Sequence, residues 1–158
     1  MSDASFDDGR EAPLNLGAQD DGDLQVISTL LQDAVFPASE MSWRSAQRRF
    51  AILLNRFRWE DRAAADTRGR AYERVQSLLV IDNVMGVASQ GIDRKDKDMV
   101  LSLLSIAFEP GEDGTGDVEL TMAGDGGLRL SVEALDVSIR DVTRPYRAPS
   151  GHVPDHDL

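Results

Sequence analysis

The 158-residue chain contains no cysteine. That excludes disulfides, thiolate nucleophiles and cysteine-ligated zinc or iron–sulfur centres. Histidine is almost as scarce. His152 and His156 stand four residues apart with Asp155 and Asp157 beside them, but Pro154 between them breaks the helix that would align two imidazoles. With no other histidine, Ser-His-Asp and Cys-His mechanisms lack a base in the core. Lys95 and Lys97 are the only lysines, so nearly all positive charge is arginine. Long apolar runs are also missing. Nothing approaches the ~20 residues a membrane helix needs, and the start of the chain lacks the basic and apolar segments of a secretory signal. These absences point to a cytoplasmic protein with neither metal nor cofactor.

The net charge of −11 is unevenly placed. Residues 1–23 carry seven carboxylates against Arg10 alone, a net −6. Residues 1–22, rich in Asp, Gly, Ser and Ala, hold too little apolar surface to offset ordering entropy and read as a disordered acidic tail. The domain proper, residues 23–142, is mildly acidic, which argues against generic nucleic-acid binding. Residues 143–158 contain Pro145, Pro149 and Pro154 and read as a flexible tail.

Within the domain a helix comes first. Asp21 or Asp23 is placed to cap it, Val26, Ile27, Leu30, Leu31 and Ala34 share one face, and Pro37 stops it near Phe36. The remainder reads as strands. Residues 41–43 form a short one and residues 48–59 a long central one. In the latter Phe50, Ile52 and Leu54 point one way, and Ala51, Leu53, Phe57 and Trp59 the other. Residues 61–70 read as a charged loop. Residues 72–88 are too long for one strand, and Asp82-Asn83 bends or splits them. A polar turn over 91–98 leads to a strand over 100–108, and 110–116 is a loop. Val118, Leu120 and Met122, then Gly124–Gly127, then Leu128, Leu130 and Val132 make a β-hairpin. Residues 135–142 fit a strand or a helix.

The expected architecture is one α+β domain: an N-terminal amphipathic helix plus six or seven mostly antiparallel strands. They form a curved sheet or small pleckstrin-homology-like barrel, with the helix over one opening. The alternative is an open antiparallel sheet with the helix on one face.

Two constellations reduce to structure, and a third is a live candidate for function. Glu119 and Glu133, with Arg129 and Thr121, read as cross-strand polar pairs facing solvent rather than an acid/base pair. The glycines of 124–127 join two strands, whereas a phosphate cradle needs a helix N-terminus after the loop. The third is a cluster in which Arg44, Arg48, Arg49, Arg56, Arg58, Arg62, Arg68, Arg70 and Arg74 interleave with Trp43, Phe50, Phe57, Trp59 and Tyr72. Its plain reading is a strand whose arginine stems cover apolar surface beside Glu60, Asp61, Asp66 and Glu73. Its functional reading is a binding surface of Arg49, Arg56, Arg58, Trp59 and Tyr72 for another protein, since arginine and tryptophan dominate many interfaces. Two other readings stand beside it. One is a small-molecule or enzymatic pocket near Trp59, lined by Arg58 and Tyr72. The other is a stacking platform for single-stranded nucleic acid.

Four segments taken together, 31–34, 48–60, 101–110 and 128–133, resemble a family of small, mainly alphaproteobacterial proteins known as a domain of unknown function. The resemblance spans about residues 23–142. It implies a bacterial cytoplasmic protein and carries no catalytic residues across.

Overall fold

The computed structural model describes residues 12–93 and 95–147. Strand β1 (Asn15–Ala18) leads into helix α1 (Asp21–Leu30), β2 (Val35–Pro37), β3 (Met41–Arg44) and β4 (Arg49–Phe57). Helix α2 (Arg62–Arg68) follows, then β5 (Glu73–Ile81), β6 (Val84–Gln90), β7 (Val100–Pro110), β8 (Gly116–Met122), β9 (Gly127–Val132), β10 (Val137–Asp141) and β11 (Tyr146–Arg147). All pairings are antiparallel. The path across the sheet is β1-β10-β5-β4-β2-β7-β8-β9-β6, with β11 beside β5 and β3 beside β4. No helix among the described residues is long and apolar enough to cross a membrane.

Local sequence explains the strongest elements. In β4, Phe50, Ile52 and Leu54 are buried while Ala51 and Leu53 are half-buried, the period-two pattern of a strand with one covered face. Asn83 takes a left-handed φ of 62°, a conformation asparagine tolerates better than most residues, and there the chain leaves β5 for β6. The β8–β9 hairpin turns through Gly124 at φ 80°. Residues 135–142, open between strand and helix, contain β10, because pairing with both β5 and β1 satisfies its backbone on two sides.

Helix α1 buries Leu24, Ile27 and Ser28, with Leu31 just beyond, and packs on β1 and β7. Those strands lie five steps apart on the path, about 24 Å at the usual strand spacing. The helix is only about 15 Å long at 1.5 Å per residue. It touches both because the sheet curls around it. The core fills that curl: Leu24, Ile27 and Leu31 from α1 meet Ile52, Leu79, Ile81, Leu103, Leu130, Val137 and Ile139.

Several expectations are corrected. The described residues form eleven strands rather than six or seven. Those not anticipated are the short segments β1, β2 and β11, whose extended form comes from their partners more than from their own composition, while the short strand expected over 41–43 is β3. The sheet is not closed: β1 and β6, the ends of the path, do not pair with each other, so pleckstrin-homology-like closure is absent among the described residues. Helix α1 stops at Leu30, well short of Phe36, and Val26 is 53% exposed rather than on the packed face. Its cap is Asp20, whose carboxylate accepts from the Asp23 amide at 2.8 Å. Residues 15–18, read as tail, form β1, and Tyr146–Arg147 pair with β5. Residues 61–70 are a helical turn over Trp59–Asp61 followed by α2, not a loop. Residues 1–11 and 148–158, including both histidines, lie outside the described residues.

Candidate functional site

Alternation along β4 carries Arg56 onto the same face as Phe50, Ile52 and Leu54. Its side chain is 0% exposed. The guanidinium donates to both oxygens of Glu60 at 2.8 and 2.7 Å, to Asp141 at 3.1 Å and to the hydroxyl of Ser77 at 3.1 Å. Asp141 accepts in turn from Ser77 Oγ at 2.7 Å and from the Leu14 amide at 2.9 Å, tying β10 to the entry of β1. Burial works against the Arg56 charge, but the bonds to Glu60 and Asp141 outweigh it and leave its pKa raised.

Arg58 continues the network. It is 4% exposed and pairs with Glu73, with Asp61 and Glu60 at 3.8 Å. Arg70 grips Asp61 through two bonds of 2.6 Å. The hydrogen bond from Arg70 holds the buried Asp61 carboxyl below its ordinary pKa against the opposing effect of desolvation, with help from the Arg58 charge. Three arginines and four carboxylates thus close this end of the core. Their bonds to one another and to Ser77 anchor the 58–73 segment to the sheet.

The five residues proposed from sequence as a binding surface therefore separate. Arg56 and Arg58 are buried and paired, which removes them from any surface. Arg49 is exposed and bonds Asp82 at 2.8 Å, a partner that raises its pKa. Trp59 donates its indole N–H to the Gln32 carbonyl at 3.1 Å, and its ring meets the Phe57 ring edge-on at 4.7 Å. The Tyr72 hydroxyl bonds Asp66, which raises its pKa, and its ring tilts on Phe57 at 5.7 Å. Trp59, Tyr72 and Phe57 meet as a small packed cluster on the outer face, not as a pocket. The hollow beside Tyr72 is shallow and is lined by α2 and the residues after it, without Trp59. Across the β8–β9 hairpin, Glu119 and Arg129 stand opposite and pair at 3.2 Å, while Glu133 pairs with Arg48 at 2.8 Å.

A recess opens elsewhere. Among the described residues each of β3 and β6 pairs on one side only, β3 with β4 and β6 with β9. Register places Met41 opposite Ile52 and Trp43 opposite Phe50, so Met41 and Trp43 face inward. Val87 and Ser89 stand opposite Leu130 and Leu128 and face inward as well. Between the two free edges a cleft of about 550 Å³ opens onto these side chains, with Ala38, Ser39, Ile92 and Lys97 at its rim. One end is pinned by the Val84 amide donating to the Arg48 carbonyl at 2.9 Å. The other is pinned by Ser39 N–H to Lys97 O at 2.9 Å and Ala38 N–H to Met99 O at 2.8 Å. Such a volume lies within the ~300–1,000 Å³ typical of small-molecule sites. Trp43 is one of the aromatics of the arginine-rich cluster and is not among the five site residues expected from sequence. The available signal is its parity with Met41 on a short strand beside β4.

A second feature is the outer face of β3, β4, β5 and β10. Ala51, Leu53, Leu78 and Val80 form a half-buried apolar strip there, edged by Arg44, Arg49 and Arg140 and by the carboxylates of Glu40 and Asp82, the latter bonded to Arg49. Neither helix covers it.

Comparison with protein families matches residues 14–156 to the one described as a protein of unknown function, DUF2948. No curated protein and no solved structure matches the chain.

Proposed function

We propose that this chain, which belongs to the DUF2948 family, is a binding module whose small-molecule ligand occupies the cleft between β3 and β6. One observation carries the reading: the incomplete closure of the sheet leaves inward-facing Trp43, Phe50, Val87 and Leu128 at the wall of a recess pinned at both ends. Elsewhere such side chains are sealed in the core. Apolar surface facing a concave site with a few polar groups at its rim is the general form of a ligand pocket. The site moves from the region of Trp59 expected from sequence to that of Trp43. The test is titration with a neutral solvatochromic dye. Wild type binds it, and Val87→Trp, which fills the cleft, loses binding while keeping its circular dichroism and unfolding midpoint. Equal binding by both proteins places the dye elsewhere and ends the reading.

A second reading, a protein partner, is favoured by the uncovered outer strip of Ala51, Leu53, Leu78 and Val80 with arginines around it. It suits a partner presenting an apolar patch with charges of both signs at its rim. Arg49 is retained from the surface expected from sequence, and Arg56 and Arg58 are not. A partner held by wild type at unchanged affinity in Leu53→Asp and Arg140→Glu variants does not use this face.

A further inference from the structure

Resting on the cleft reading, we infer that the ligand is an amphipathic carboxylate, an apolar chain ending in an anionic head, bound head-outward at Lys97. The polarity of the cleft runs along its length. Strand β3 proceeds from the Ser39 end toward the turn at Arg48, and β6 runs the opposite way from Val84, so Trp43 and Phe50 belong to the Val84 end. The loop after β6 then returns Lys97 to Ser39, where their backbones are joined at 2.9 Å. One end is therefore aromatic and aliphatic, and the other carries an ammonium and a hydroxyl.

Among the described residues lining the cleft, Lys97 is the one that carries a charge. Among the described residues of its loop, Asp93, Lys95, Asp96 and Asp98 are not part of the lining, and Lys97 takes part in no ion pair. An exposed lysine with three ammonium donors, lining a slot whose other side chains are mainly apolar, complements a carboxylate whose chain lies along them. A membrane surface is not the source the geometry favours. The pinned ends make the cleft a bounded slot for a monomeric molecule.

Calorimetric titration of the full chain with decanoate, decanol and decyltrimethylammonium, all below micelle formation, tests this. Decanoate is expected to bind tightest. Lys97→Gln should weaken decanoate roughly three- to fivefold, the scale of one partly exposed ion pair, and leave decanol unchanged. Val87→Trp should abolish both. Decanol binding as tightly as decanoate, with Lys97→Gln without effect, overturns the headgroup assignment and leaves the cleft reading standing. Preference for the cationic amphiphile does the same. Failure of all three to bind overturns this inference, and the neutral-dye titration then separately decides whether the cleft binds at all.

Discussion

Arg56 and Asp141 stand 85 residues apart in the chain, yet the guanidinium Nη2 lies 3.1 Å from Asp141 Oδ2 with the side chains 0% and 4% exposed. The pair joins the end of β4 to the end of β10, and the Leu14 amide bonded to the same carboxylate brings in the start of β1. Three strands are held by one buried ion pair at the mouth of the core.

Removing one member of a buried ion pair leaves the other charge without compensation, which costs about 3–5 kcal/mol. Asp141→Ala is expected to fall near the lower figure, because Glu60 still holds Arg56. Arg49→Ala, seven residues earlier on the same strand, removes only an exposed contact and should leave the midpoint nearly unchanged. Urea unfolding of both variants checks the contrast. Equal effects would mean that Arg56 is not buried as described.

The Asp61 carboxyl is held below the ordinary range by Arg70. A depressed folded pKa contributes stability that is fully present above the unfolded value, ~3.9, and is lost as pH falls through the folded value. Asp61→Asn should therefore be less stable than wild type at neutral pH, with the gap narrowing below about pH 4. Unfolding free energies measured from pH 7 to pH 2.5 give the answer; a gap independent of pH would show that the Asp61 carboxylate titrates alike in both states.

Helix α1 offers three neighbouring aspartates, of which Asp20 caps the free Asp23 amide. Asp20→Ala is expected to cost about 1 kcal/mol. Asp21→Ala and Asp23→Ala, which lose only favourable charge in the first turn, should cost a few tenths. Thermal denaturation ranks the three, and a larger loss at Asp21 would displace the cap.

Gly116 opens β8 opposite Pro110, and a Cβ there would lie 2.4 Å from the Glu109 carbonyl and 2.6 Å from the Phe108 ring. Gly116→Ala forces backbone as well as side chain to move and should destabilise by roughly 1–3 kcal/mol. Gly114→Ala has open space but a φ of 81°, so its cost is backbone strain alone. Hydrogen exchange of the β7–β8 amides would separate them: faster exchange in Gly116→Ala locates the damage in the hairpin.

What the sequence determined by itself was local. Alternation in 118–132 around a glycine-rich turn specifies a hairpin without outside help, and Asp82-Asn83 marks a break because asparagine accepts the left-handed backbone found there. Parity along β4 already placed Arg56 beside Phe50, Ile52 and Leu54, so its burial was legible to a reader who extended the pattern by one residue. Tertiary structure alone decided the rest. Burying an arginine requires carboxylates, and Glu60 and Asp141 arrive from a helical turn and a distant strand that no short window connects. The short strands β1, β2 and β11 are extended because partners supply their hydrogen bonds. The cleft exists because β3 and β6 never meet, and it joins Trp43, Val87 and Lys97 through the path of the sheet. Spacing along the chain carries no record of a gap between two edges, since that gap depends on how far the whole sheet curls around α1.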